Sequence, residues 1–315
     1  MKSLRRITTL SRGTTAALLA AIATVTPTFA WAQAPAPIGP LLSRALPAAE
    51  RRALEDEVRV ARVRSPSVFA RVVDLQGLQR ANYLSTRLRR PTVTRELMSL
   101  GVDALVPMLQ TYALTGYPRA LDVDERAALE VGLLEAIGAL ADRRAETTLR
   151  AAFEQHRGDE LSVVAARGLG RLCGDGDVAY LAGLAQSRGA LQNAALEGLG
   201  ACHRLPAVRA IIQALEATTD APAVIAAAHG LANAGSTWGQ QAGRRVDDLP
   251  ALASDALLRA YLRASADAQY ELRIAMASVG HRPTLARVEE LLRSAPAAQH
   301  AALQSLHRAL QLATR

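Results

Sequence analysis

Four segments of the chain share one short pattern: "LLEAIGALAD" (133–142), "AARGLGRLCGDG" (165–176), "NAALEGLGACHR" (193–204) and "AAAHGLANAG" (226–235). Each sets a variable residue before a small one, then an aliphatic anchor, then a second small one. The anchors are Ile137, Leu169, Leu199 and Leu231, at steps of 32, 30 and 32 residues. A weaker copy, "AMASVG" (275–280), puts Val279 in the same role after a step of 48. A period near thirty holds two helices and their turns, and one such pair cannot bury its own apolar stripe. Stacked pairs can, because they share a continuous core. The expected fold class is therefore all-α, an α-solenoid of stacked helix pairs. Ala165, Ala166, Gly168 and Gly170 are small because neighbouring helices there approach within about 8–10 Å, with Leu169 as the knob.

Composition agrees with that reading. Half of the residues are apolar and most of those are Ala and Leu; Ala is the best helix former. Between the anchors, partner helices are expected over "AETTLRAAFEQH" (145–156), "VAYLAGLAQ" (178–186), "PAVRAIIQALEA" (206–217) and "TLARVEELLR" (284–293). "PAAQHAALQSLHRAL" (296–310) reads as the closing helix and "STWGQQAGRRVDDLP" (236–250) as an inserted loop or irregular helix. Upstream, "PAAERRALEDEVRVARVR" (47–64) starts at Pro47 and lines up Leu54, Val58 and Ala61. Residues 47–93 form an N-terminal helical cap or divergent repeats, and 94–315 the repeat region.

The first residues belong to no fold. A basic stretch with Lys2, Arg5, Arg6 and Arg12 precedes the apolar run "AALLAAIATV" and the Ala30-Trp31-Ala32 site. That is the layout of a secretory signal peptide over 1–32, cut after Ala32, with a Pro-rich linker over 33–46. The expected location is periplasmic or secreted, with no membrane association after cleavage.

The leader holds four of the 37 basic residues and no acidic one, so the remaining chain carries 33 bases against 29 acids. That mild surplus is no nucleic-acid footprint. Lys2 is the only lysine, which removes P-loop, Schiff-base and Ser-Lys chemistry from the remainder. Aromatics make up 3%, few for stacking sugars or single-stranded nucleic acid.

The motifs resembling sites reduce to structure. Gly168-x-Gly170 lies within a helix rather than between a strand and a helix, so it is no dinucleotide fingerprint. Asp175 and Asp177 in "GDGD" lack further acidic ligands, and the expected roles are a helix stop at Gly174 and a cap at Asp177. The six histidines (His156, His203, His229, His281, His300 and His307) form no H-E-x-x-H motif and read as solvated surface residues. No cofactor and no metal site is expected. Two cysteines in an exported chain favour a disulfide. Equivalent points on adjacent repeats lie about 10 Å apart, however, and a bridge needs Cα atoms roughly 4.4–6.8 Å apart. Cys173 and Cys202 sit one residue out of register in loops, which can close that gap, so bridge and free thiols both stand open.

"AARGLGRLCGDGDVAYLAGLA" and "NAALEGLGACHRLPAVRAIIQAL" resemble HEAT-like repeats of the short bacterial, phycobilisome-lyase type. The resemblance covers 94–310 and is strongest over 127–235. Such repeats often carry Val-Arg at the start of the second helix, and "LSVVAARG", "ALQNAALEG" and "APAVIAAAHG" lack that arginine. The resemblance implies that the second helix of each pair lines a concave face. Glu135, Arg167, Glu197 and His229, each just before the small residue of its repeat, then form a row along that face. The row is either an inter-repeat ladder or a surface for a partner. The implied function is a non-catalytic scaffold or adaptor for a protein or peptide of the cell envelope, with no nucleic acid involved. The alternative implied by the family is a lyase-like enzyme.

Overall fold

The computed structural model describes residues 41–42, 46–74, 92–116, 121, 123–236 and 248–313. The expected leader and most of the linker lie outside these. Among the described residues every regular element is helical. The α-helices are α1 (Ala48–Arg64), α2 (Pro66–Asp74), α3 (Thr92–Ser99), α4 (Leu105–Gln110), α5 (Val123–Ala139), α6 (Glu146–Gln155), α7 (Glu160–Leu172) and α8 (Asp175–Gln186). They continue with α9 (Gln192–Gly200), α10 (Leu205–Ala217), α11 (Ala221–Gly235), α12 (Leu249–Tyr261), α13 (Ala266–Val279), α14 (Pro283–Ser294) and α15 (Ala297–Ala313). No single one is long and apolar enough to cross a membrane.

Neighbours follow a simple rule. The odd-numbered helices from α3 to α15 pack each on the next odd one. From α8 to α14 the even-numbered helices do the same in a second row. Ile137, Leu169, Leu199 and Leu231 are fully buried between the rows. The chain can alternate because its turns are short and chemically capped. Asp159 accepts the Ser162 amide at the start of α7, and Asp220 accepts that of Ala223 at the start of α11.

The small residues of the repeat lie where the odd helices meet backbone to backbone. A Cβ on Gly138 would stand 2.6 Å from the Gly168 Cα, and one on Gly198 would stand 2.6 Å from the Ala166 carbonyl oxygen. Likewise a Cβ on Gly230 would stand 2.5 Å from the Leu196 carbonyl oxygen. One backbone thus lies against the next through α5, α7, α9 and α11, with no room for a side chain.

Two elements differ from expectation. The segment "LPALASDALLRAY" forms α12, so part of the expected 236–250 loop is the start of a partner helix. Pro250 at the helix start and the i, i+4 series Leu249, Ala253, Leu257 and Tyr261 were its signals, and all four are buried. In α13 the repeat pattern fits Ile274-Ala275-Met276-Ala277 better than the copy anchored on Val279. Ala275 and Met276 are buried while Ile274 is exposed, matching Gly230, Leu231 and His229 in α11.

Asp177 does more than cap. It is fully buried, accepts the Gly174 amide at 3.1 Å, and takes Arg143 at 3.1 Å and Arg150 at 3.2 Å. It thereby ties the turn before α6, α6 itself and α8 together. Arg150 also lies over the Tyr180 ring, which packs edge-on against Phe153. Asp177→Ala strands the Gly174 amide, but both arginines are partly exposed and can return to water. The expected loss is therefore about 2–3 kcal/mol, below that of a fully buried pair. Asp177→Asn keeps an acceptor and is expected to lose about 1 kcal/mol. Urea unfolding of the two variants checks the order.

Cys173 and Cys202 are joined as a disulfide with Cα atoms 5.2 Å apart. Cys173 ends α7 in the left-handed region, φ 54°, while Cys202 lies just past α9. That displacement from the helices brings the Cα atoms closer than the helix axes could come. The Arg204 guanidinium donates to the Cys173 carbonyl at 3.0 Å and fixes the same turn.

Candidate functional site

The variable residue of each repeat sits between buried neighbours on its odd helix, so helical geometry turns it toward the outer face of that row. Successive helices place Arg167, Glu197 and His229 side by side, with Glu135 at the equivalent position of α5. Arg167 Nη2 meets Glu197 Oε2 at 2.5 Å. The other oxygen of Glu197 lies 3.4 Å from His229 Nδ1, and His229 Nε2 lies 3.3 Å from Glu271 Oε2. This chain of contacts runs across α7, α9, α11 and α13. Glu135 accepts a hydrogen bond from the Thr94 hydroxyl of α3 at 3.2 Å.

Arg167 and His229 are about half exposed, whereas Glu197 keeps only 16% of its side-chain surface. Burial pushes the Glu197 pKa up. The hydrogen bond with His229 and the charges of Arg167 and His229 outweigh it, and the carboxyl ends below its ordinary range. The hydrogen bond to Glu197 raises the His229 pKa against desolvation, and Glu271 adds to the rise. Both His229 nitrogens face carboxylates, an arrangement that favours a charged ring over one that activates a nucleophile.

Arg167, Arg171, Glu197, His229 and Asn233 line an open depression. Beyond it, at the α13 end, Tyr270 and Ile274 are exposed one turn apart, with Arg273 over the tyrosine ring at 5.2 Å. Sequence reasoning did not find Glu271, Tyr270 or Ile274, because anchoring α13 on Val279 placed different residues in the row. The Ile274-Ala275-Met276-Ala277 pattern was the available signal.

The expectation of solvated histidines fails at His156, whose side chain is 13% exposed between Glu130 and Asp159. His300 Nε2 donates to the Ala295 carbonyl, 2.9 Å away, and His307 meets Glu289 at 3.1 Å. Among the described residues no group of three His, Cys, Asp or Glu side chains is arranged to hold a metal ion. No protein-family model and no curated protein matches the chain.

Proposed function

We propose that this chain is an exported α-solenoid of HEAT-like helix pairs whose odd-helix face binds a protein or peptide of the cell envelope. The observation that carries the reading is the contact chain Arg167–Glu197–His229–Glu271, which spans four successive odd helices. No single repeat owns that surface; it exists only because the layers stack. Its composition supports binding over catalysis, with charged groups at the centre and exposed Tyr270 and Ile274 at one end. The disulfide supports export, since such bonds persist in oxidising compartments.

The test is affinity capture from the native envelope by the tagged chain lacking residues 1–32. A parallel variant carries Glu135→Ala, Arg167→Ala, Glu197→Ala and His229→Ala. Arg167 and His229 are about half exposed and Glu197 is removed together with them, so no charge of that trio is left unpaired and the variant is expected to keep its helical circular dichroism. The reading expects a specific partner on the wild type and at least a tenfold weaker signal on the variant, about 1.4 kcal/mol. Equal capture by both would move the binding surface elsewhere.

A further inference from the structure

The charge of the chain is not evenly spread. Beyond residue 32 it holds 33 bases against 29 acids, and eight of those bases lie within residues 59–90, where Asp74 is the single acid. The rest of the chain beyond residue 32 therefore carries a slight excess of acids. A mild average conceals one strongly basic segment in the N-terminal cap.

The described part of that segment is the second half of α1 together with α2. Helix α1 buries Leu54 and Val58 on one stripe, with Ala61 half-buried beside them, and packs against α2 and α4. Val60 and Val63 turn away from that stripe, and Val63 is 84% exposed. Arg59, Arg62 and Arg64 flank them, and α2 adds exposed Arg71 and Val73. Arg59 meets Asp56 at 2.9 Å with both side chains mostly in water. Arg62 Nη2 donates to Gln110 at 2.8 Å and lies over the Phe69 ring at 4.7 Å. Arg64 and Arg71 are exposed with no ion pair among the described residues. The helix that ends a stack needs a polar outer face for solubility. Solvation accounts for the arginines but not for Val60 and Val63, and valine is a poorer helix former than the polar residues that could stand there.

We propose that this end of the fold is a docking surface for an anionic phospholipid bilayer. A guanidinium donates two parallel hydrogen bonds to a phosphate. Its aliphatic stem lies along apolar surface while its head stays among polar groups. Val60 and Val63 then enter the boundary between headgroups and acyl chains, and Arg59 and Arg64 beside them and Arg71 on α2 hold the phosphates. A nucleic acid offers the same phosphates, but valines supply neither a stacking platform nor a donor for base edges. The surface is separate from the Arg167–Glu197–His229 row and does not depend on it. It keeps the chain on a membrane after the leader is lost, contrary to the expectation drawn from the leader alone.

The test is flotation of the chain lacking 1–32 with two kinds of vesicle: phosphatidylglycerol mixed with phosphatidylethanolamine, and phosphatidylcholine alone. Binding is expected to the first only, and to fall as salt rises from about 0.1 M to 1 M and screening shortens from about 10 Å to 3 Å. Arg64→Glu with Arg71→Glu is expected to weaken it by about thirtyfold or more. These side chains are exposed, so the variant is expected to keep its circular dichroism. Val63→Trp reports insertion independently: its emission is expected to shift to the blue with phosphatidylglycerol vesicles and not with phosphatidylcholine. Equal flotation with both vesicles, flotation undiminished by the charge reversal, or an unshifted emission overturns the proposal. Binding to duplex DNA with the vesicles left unbound overturns it in favour of a nucleic acid.

Discussion

Gly198→Ala is expected to destabilise the chain by about 3 kcal/mol, while Gly183→Ala is expected to stabilise it by about 0.5–1 kcal/mol. Both glycines lie in helices, and alanine is the better helix former at each. They differ in what a methyl group would meet. At Gly198 it would stand 2.6–2.9 Å from the carbonyl oxygen, carbonyl carbon and Cβ of Ala166. Two of those atoms are backbone, so no rotamer change gives relief; α9 must move off α7. The reverse face of the same contact is Gly170, where an added Cβ would collide with the Gly198 carbonyl oxygen. Separating α7 from α9 also pulls Arg167 from Glu197, so the damage reaches the surface row. At Gly183 nothing lies within 4 Å. Urea unfolding of the pair measures opposite signs from the same substitution, which a general aversion to alanine could not produce.

The second large effect belongs to the disulfide. Cys173 and Cys202 close a loop of 29 residues in the chain. Constraining the unfolded chain by a loop of that length is worth about 3–4 kcal/mol. Cys173→Ser with Cys202→Ser is expected to lower the unfolding free energy by that amount, and a thiol reductant is expected to do the same to the wild type. The loss should be felt first at the turn after α7, where Arg204 holds the Cys173 carbonyl and pairs with Asp175. A difference under about 1 kcal/mol would mean that packing between α7, α8 and α9 already restrains the unfolded chain.

The helices and their neighbours were largely legible in sequence because spacing carries them. Leu169 and Leu199 recur at 30 residues, and both are fully buried. The small residues around them were readable as contacts for the same reason. What was not legible depends on partners remote in sequence. Asp177 looked like a cap, and its burial against Arg143 and Arg150 needs α6 and α8 to be in place. His156 looked like one scattered histidine among six; only the fold brings Glu130 to its other side. Along the surface row, Arg167, Glu197 and His229 followed from the repeat. Glu271 did not, because the step into α13 breaks the thirty-residue period.

The proposed binding face is tested most directly by photo-crosslinking in the native envelope, with a photoreactive residue placed at one position at a time. Arg167, Glu197 and His229 sample the odd-helix face; Arg209, exposed on α10, samples the even row. The account predicts one shared adduct from the first three positions and none from Arg209. An adduct from Arg209 with none from the odd-helix positions would contradict it.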